Sequence, residues 1–288
     1  MIYPSPDNKG IVWLASYPKS GNTWLRVFLY HLVRIQNGAP RENDEINRLD
    51  RASAYEGRMF SLFAEFLDKR VEEASIEEVA AVRPHVQAAI VKRLPRVALI
   101  KTHNCLATIA GVPLINLAVT VGAIYMVRDP RDVVLSLAHH LGAGIDETIE
   151  VMASPGFSTG NDREGVFEVW GSWSEHVASW TGEPSDPLLV VRYEDLSADP
   201  LGTFRRITAH LRQDPPLAAI TESVELSTFD KLAAAERVTP FKETSERATR
   251  FFREGRAGAW RERLTAEQAQ RVAKTHGEQM ARFGYPVD

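Results

Sequence analysis

The feature that most constrains this chain is a junction near its start. Ile11-Val12-Trp13-Leu14-Ala15 is an unbroken apolar run, Tyr17-Pro18-Lys19-Ser20-Gly21-Asn22-Thr23-Trp24 follows, and Trp24, Phe28, Leu32 and Ile35 then recur at helical spacing. A short all-apolar run reads as a strand buried on both faces, and the 3.6-residue period predicts a helix over Thr23 to Ile35. Strand, tight glycine-containing loop and helix make the layout of a phosphate-binding crossover. Gly21 lets the backbone approach an anion. The amides of Ser20 to Trp24 open the helix, where unpaired N–H groups and the helix dipole favour negative charge, and Lys19 adds a point charge beside them. The nucleoside triphosphatase pattern Gly-x-x-x-x-Gly-Lys-[Ser/Thr] does not occur.

The same alternation continues. Val97 to Ile100, Ala123 to Val127 and Leu188 to Val191 read as further buried strands. Each runs into a polar cluster: Lys101-Thr102-His103, Arg128-Asp129-Pro130-Arg131-Asp132 and Arg192-Tyr193-Glu194-Asp195. Pro130 suits a first helical turn with Asp129 as its cap, and that helix is expected to run to about Leu141. Ile76 to Leu94 reads as a helix in two pieces broken at Pro84. Gly142 to Gly165, rich in glycine and serine, reads as a mobile loop. Phe167 to Trp180 reads as a helix, and Thr265 to Phe283 as an amphipathic one capped by Thr265. The aromatic residues Tyr55, Phe60, Phe63 and Phe66 read as core, with an acceptor-pocket wall as the other use. Strands alternating with helices imply an α/β fold, a central parallel sheet covered by helices on both faces, in one domain spanning residues 1–288.

Composition limits the partners. A net charge of -4 gives no global attraction to nucleic acid or anionic membrane, so any anion site must concentrate its charge locally. Cys105 is the only cysteine, which excludes an internal disulfide and fits a reducing, cytoplasmic compartment. Met1 to Gly10 lacks the basic-then-apolar pattern of a signal peptide. Leu106 to Val127 is uncharged and long enough to span a bilayer, but its Gly, Pro, Asn and Thr content reads better as a buried loop or short helix feeding a strand.

With these residues in view, the chain resembles the sulfotransferase family. Tyr17 to Trp24 is similar to its 5'-phosphosulfate loop, Tyr-Pro-Lys-Ser-Gly-Thr-Thr-Trp, with only Asn22 departing. Arg128 and Ser136, eight positions apart, resemble its 3'-phosphate motif. Phe251 to Trp260 resembles its Arg-Lys-Gly-x-x-Gly-x-Trp loop, supplying Arg253 and Gly255 but placing Glu254 where the family has lysine; Arg256 is the residue that would restore that charge. Tyr193, Ser227 and Phe229 match adenine-contacting positions, Trp24 and Phe229 sandwiching the base. Lys101-Thr102-His103 matches the segment whose histidine is the family's catalytic base, a role suited to a group that titrates near neutrality. The resemblance runs from residue 17 to 260.

The resemblance implies transfer of a sulfuryl group from 3'-phosphoadenosine 5'-phosphosulfate (PAPS) to a hydroxyl or amine of a small acceptor, leaving 3',5'-ADP (PAP). His103, Lys19 and Lys101 would be the catalytic groups. Lys19, Ser20, Gly21, Asn22, Thr23 and Trp24 would hold the 5' end, Arg128, Ser136, Arg253, Glu254 and Gly255 the 3'-phosphate, and Tyr193, Ser227 and Phe229 the base. No metal is called for, because the sequence clusters no carboxylates that demand one and Asp129 and Asp132 read as structural. His139 and His140 compete with His103 for the base. The acceptor would be hydrophobic or phenolic, and homodimer formation stays open. Two other readings remain: a P-loop kinase-like phosphotransferase, and an inactive nucleotide-binding homologue for which Glu254 is the best support.

Overall fold

The computed structural model describes residues 9–40 and 45–287. The N-terminal stretch read above for a signal lies outside them, apart from Lys9 and Gly10. In chain order, β1 (Ile11–Ser16) enters α1 (Asn22–Gln36) through the phosphate-loop sequence. There follow β2 (Ala54–Tyr55), α2 (Phe60–Leu67), α3 (Ile76–Arg93), β3 (Ala98–Thr102) and a small hairpin of β4 (Thr108–Ile109) and β5 (Val112–Pro113). Next come β6 (Thr120–Val127), α4 (Pro130–Leu141), α5 (Ile145–Ala153), α6 (Trp173–Thr181) and β7 (Leu188–Arg192). The chain ends with α7 (Tyr193–Ala198), α8 (Pro200–His210), α9 (Leu217–Leu226), α10 (Phe229–Val238), α11 (Trp260–Arg263) and α12 (Ala266–Arg282).

The main sheet has the order β2-β3-β1-β6-β7, and every pairing in it is parallel. Its central strand, β1, is apolar from Ile11 to Ala15 and buried throughout because both faces are covered. Ile11, Trp13 and Ala15 of β1 join Tyr125 and Val127 of β6 in a core shared with α2, α3, α4, α6 and α12. Val12, Leu14, Ile124 and Met126 point the other way, into a core with α1, α8 and α9, where Phe28 stacks on Phe204 at 3.8 Å between ring centroids. Truncating a buried aromatic such as Phe28 to alanine costs about 3–5 kcal/mol. A third cluster, Val27 and Tyr30 with Leu232, Phe241 and Phe252, ties the segment after α10 onto α1. Since β1, β3, β6 and β7 all run the same way, the loops after Ser16, Thr102, Val127 and Arg192 open on one edge, where ligands sit in open α/β sheets.

Three expectations are corrected. α3 is continuous through Pro84. Tertiary anchors on either side override the breaker: buried Arg83 binds Glu56 and the Phe167 carbonyl, and Gln87 binds Glu56 and the Leu114 carbonyl. The Gly142–Gly165 stretch contains a helix, α5, which buries Ile149 and Met152. The expected Phe167–Trp180 helix starts only at Trp173, because Gly171 is left-handed (φ 62) and Ser172 caps with Glu175 in a reciprocal capping box; Val169 instead bridges to Ser158. Leu106–Val127 contains the β4–β5 hairpin, a short 3-10 turn and then β6. Among the described residues no helix is long and apolar enough to cross a membrane.

Candidate active site

At the β1–α1 junction the backbone turns sharply. Lys19 adopts φ 67 and Gly21 φ 102, both left-handed. A side chain at Gly21 would meet the Tyr193 ring at 2.7 Å, so only glycine fits. Gly21 is the cap of α1, leaving the amides of Asn22 and Thr23 without an intrahelical acceptor. Trp24 is different: its amide already donates to the Gly21 carbonyl, at 3.0 Å. The Asn22 side chain points away from the loop and donates to the Leu14 carbonyl, at 2.8 Å, bracing the junction. Lys19, Gly21, Asn22, Thr23 and Trp24 all line a cavity of about 470 Å³.

The end of β3 supplies the other wall. His103 Nδ1 lies 2.8 Å from the Ser16 carbonyl oxygen, which can only accept, so Nδ1 carries the proton and Nε2 is left as the basic nitrogen. Burial, and then the Lys101 charge, hold His103 well below the usual histidine range, so it is neutral at pH 7. Its amide donates to Glu168 Oε1 at 2.9 Å, and Tyr55 donates its hydroxyl to Glu168 Oε2 at 2.7 Å. The Lys101 ammonium sits 3.9 Å from the centre of the Tyr55 ring and 3.0 Å from Glu243 Oε2. Lys19 Nζ stands 3.6 Å from the Phe251 ring centre. Burial, and then Lys101 and Arg128, bring its pKa down to about 7.

Arg128, Ser136, Tyr193, Ser227, Phe229, Arg253, Glu254 and Gly255 line the same cavity. Asp129 caps α4 as expected, and it also pairs with Arg131. Arg128 donates to the carbonyls of Lys19 and Arg256, at 3.3 and 3.1 Å, and its guanidinium lies 4.1 Å from the Tyr193 ring centre. Tyr193 donates to the Gly255 carbonyl at 2.9 Å. Gly255 (φ 62) packs so closely on Phe229 that a Cβ would lie 2.1 Å from its ring. The segment from Phe251 to Trp260 thus folds over the cavity, held at both ends by carboxylates. Glu236 accepts from the amides of Phe251 and Phe252, and Asp132 from those of Gly258 and Trp260.

Every site residue named from the sequence except Ser20 lines this cavity; Ser20 is buried in the loop itself. Arg256 does not restore the charge lost at Glu254, because it pairs outward with Glu262. Glu254 is instead neutralised by Arg263 at 2.7 Å. The aromatic cluster divides: Tyr55 lines the cavity, Phe63 is core and Phe66 is exposed. His140 also lines the cavity, with its pKa lowered to about 3 by burial and the neighbouring lysines. Sequence reading missed Glu168, Glu243 and Glu236, and gave Asp132 only a general structural part. A polar segment carries no local mark of a contact made with a distant strand.

Comparison with known proteins agrees with the geometry. The sequence model described as "Sulfotransferase domain" matches residues 9–284. Flavonol 3-sulfotransferase of Flaveria bidentis is 23% identical over 287 residues, covering 95% of this chain and 82% of that one. An amine sulfotransferase of Oryctolagus cuniculus is 23% identical over 280 residues, covering 94% and 81%. Among solved structures, retinol dehydratase in complex with androsterone and inactive cofactor PAP superposes with a TM-score of 0.60 at 20% identity, covering 97% of this chain and 82% of that one. A mouse sulfotransferase complexed with PAP gives 0.58 at 21% identity, covering 94% and 84%. A family match across almost the whole chain, on a sheet whose motif loops converge at one edge, makes this chain a member of the sulfotransferase family.

Proposed function

We propose that this chain transfers the sulfuryl group of PAPS to a hydroxyl or amine of a small acceptor, releasing PAP, with His103 as the base. One observation carries the reading. His103 is held in the tautomer that leaves Nε2 basic, in the same cavity as Lys19, Lys101 and an open helix N-terminus.

The residues present fit such a donor. Buried Ser20 Oγ and Trp24 Nε1, and Arg128 Nε, have no hydrogen-bond partner among the described residues. The cradle at Gly21 excludes any side chain. The donor set is cationic and N–H-rich, matching a ligand with a phosphosulfate and a second phosphate. The loop amides with Lys19 would hold the 5' end, Arg128, Ser136 and Arg253 the 3'-phosphate, and Trp24, Tyr193, Ser227 and Phe229 the adenine. PAP in the two solved relatives supports the assignment.

His103 Nε2 takes the proton from the acceptor's O–H or N–H as that atom bonds to sulfur and the sulfur–oxygen bond to the phosphate breaks. Lys19 offsets the charge that grows on the leaving oxygen, and Lys101 the charge on the transferring group. His103 then returns its proton to solvent. The balance is PAPS plus R–OH giving PAP, R–OSO₃⁻ and a proton, and no step is assigned to a metal ion. The acceptor end is walled by Tyr55, Phe157, Trp170 and Phe251, favouring an acceptor with an aromatic or apolar body. Androsterone and retinol, bound in solved complexes of retinol dehydratase, are molecules of that kind. The single thiol, Cys105, is buried and free, which suits a reducing cytoplasmic setting.

The test is incubation with PAPS and a panel of phenols, alcohols and amines, reading PAP release and a mass gain of one sulfuryl group. Stabilisation by PAP without magnesium is expected, and His103→Ala should bind PAP normally yet lose nearly all turnover. Absence of PAP binding, or full turnover in His103→Ala, overturns the assignment it addresses.

A further inference from the structure

Glu243 lies in a polar stretch with no motif around it, yet its carboxylate is buried between two cations at the reaction end of the cavity. Arg26 of α1, itself fully buried, donates to Glu243 Oε1 at 2.7 Å and is braced by Ser53 through Nε to Oγ, at 3.2 Å, and through NH2 to the carbonyl, at 3.1 Å. Lys101 donates to Glu243 Oε2 at 3.0 Å. Below Lys101 is the Tyr55 ring, and Tyr55 and Lys101 are register partners across β2 and β3. The Tyr55 hydroxyl continues to Glu168, and Glu168 to the His103 amide. One connected wall therefore runs from Arg26 through Glu243, Lys101, Tyr55 and Glu168 to His103.

We propose that Glu243 is a positioning residue for sulfuryl transfer: anchored by Arg26, it fixes the Lys101 ammonium over Tyr55, beside His103. The inference rests on the transfer reading above. An ammonium has three donors. One is committed to Glu243 and one face to the Tyr55 ring, which leaves the remaining donors for the cavity rather than free to rotate. The groups facing Lys101 are Glu243, Arg26, Glu168, Lys19, His103, His140 and Tyr55. Burial pulls the Lys101 pKa down, while Glu243 raises it and Arg26 lowers it further. Burial alone would raise the Glu243 pKa, but Lys101 and Arg26 together hold it below the carboxylate range, so it stays ionised. Without that carboxylate two buried cations face each other, and Lys101 gives up its proton at lower pH.

The test compares the wild type with Glu243→Gln and Glu243→Asp, reading PAP release from PAPS against pH, PAP affinity, melting temperature and the Lys101 titration by NMR on ¹³Cε-labelled lysine. Lys101→Arg assigns the Lys101 signal. Glu243→Gln should cut kcat by roughly tenfold to a hundredfold, the scale of a misplaced catalytic group. Its alkaline limb and the Lys101 titration should move to lower pH by about one unit or more. Glu243→Asp should keep the alkaline limb in place with a lowered kcat, and it carries the test alone if Glu243→Gln does not fold. An unmoved alkaline limb or Lys101 titration in Glu243→Gln, or a wild-type kcat in Glu243→Asp, overturns the proposal. Failure of the reading beneath it looks different: the wild type itself neither binds PAP nor releases it from PAPS. The Lys101 titration needs neither donor nor acceptor and decides the Glu243 assignment even then.

Discussion

Lys19 offers a prediction that separates charge chemistry from mere occupancy. Its pKa in the free protein is brought to about 7 by burial and by the Lys101 and Arg128 charges. At pH 8 the neutral form then outnumbers the charged form about tenfold, so about 0.9 of the Lys19 population lacks its proton. An anion at the loop favours the charged form and raises the bound-state pKa. PAP binding at pH 8 should therefore take up about 0.9 of a proton. The sign follows from linkage: a group whose pKa rises on binding contributes affinity fully below its free pKa, and that affinity is lost as pH climbs to the bound pKa. PAP affinity should accordingly fall by nearly tenfold per pH unit above about 7.5. Calorimetry in buffers of different ionisation heat measures the uptake directly. Work at pH 8 avoids the second ionisation of the ligand's own phosphates, near 6. Lys19→Met should abolish the uptake. Uptake that persists in Lys19→Met belongs to another group, and a wild-type uptake below about 0.2 of a proton places the free Lys19 pKa above about 8.6; either result refutes the reasoning.

Arg128→Ala removes a guanidinium that holds the Lys19 and Arg256 carbonyls and faces the cavity; PAP affinity should fall about tenfold to a hundredfold, by titration, as for loss of a charged hydrogen bond. Glu236→Gln replaces the carboxylate that takes the Phe251 and Phe252 amides; the KM for PAPS should rise more than kcat falls, since the nucleotide-covering segment loosens while His103 is untouched. Glu254→Lys removes the carboxylate paired with Arg263 and restores a cation beside Arg253; PAP should bind about 1.5-fold to fivefold tighter, in the range of a single exposed charge, and unchanged affinity would place residue 254 outside the phosphate field.

The parts of this molecule that were legible in sequence share a physical cause. Strands buried on both faces leave long apolar runs, and the loops that end them must present backbone amides and charges at fixed spacing, so β1, β3 and β6 with their clusters could be found locally; β7 left the same apolar run although it is an edge strand with only Val191 buried. The helices were less legible where tertiary contacts outweighed local signals. Pro84 would break an isolated helix, but Arg83 and Gln87 are tied to Glu56 on a separate element. Gly142 and Gly144 disguised α5, whose two buried apolar positions, Ile149 and Met152, have meaning only against α4 and α12. Least legible were contacts that span the chain. Arg26 and Glu243 are 217 positions apart, and Asp132 and Gly258 are 126 apart. No window of local sequence contains both partners.

Those distant contacts also resolve an apparent conflict, namely why a site for a polyanion should be ringed by carboxylates. Asp162 is taken by the amides of Glu164 and Gly165, Glu164 by that of Glu246, and six more carboxylates in and around the cavity are likewise committed. Asp129 is taken by Arg131, Asp132 by the amides of Gly258 and Trp260, and Glu236 by those of Phe251 and Phe252. Glu168 is taken by Tyr55 and the His103 amide, Glu243 by Arg26 and Lys101, and Glu254 by Arg263. A carboxylate whose charge is matched by a nearby cation, or solvated by paired N–H groups, projects little repulsion into the cavity. Among the described residues the Lys19 ammonium is in no salt bridge and rests on the Phe251 ring, while Arg128 donates to carbonyls and lies on a ring face. Lys19 and Arg128 are therefore the groups left to meet an anion in the cavity. The acidic residues hold the covering segment and Lys101 in place, so Glu254 need not mark a lost site.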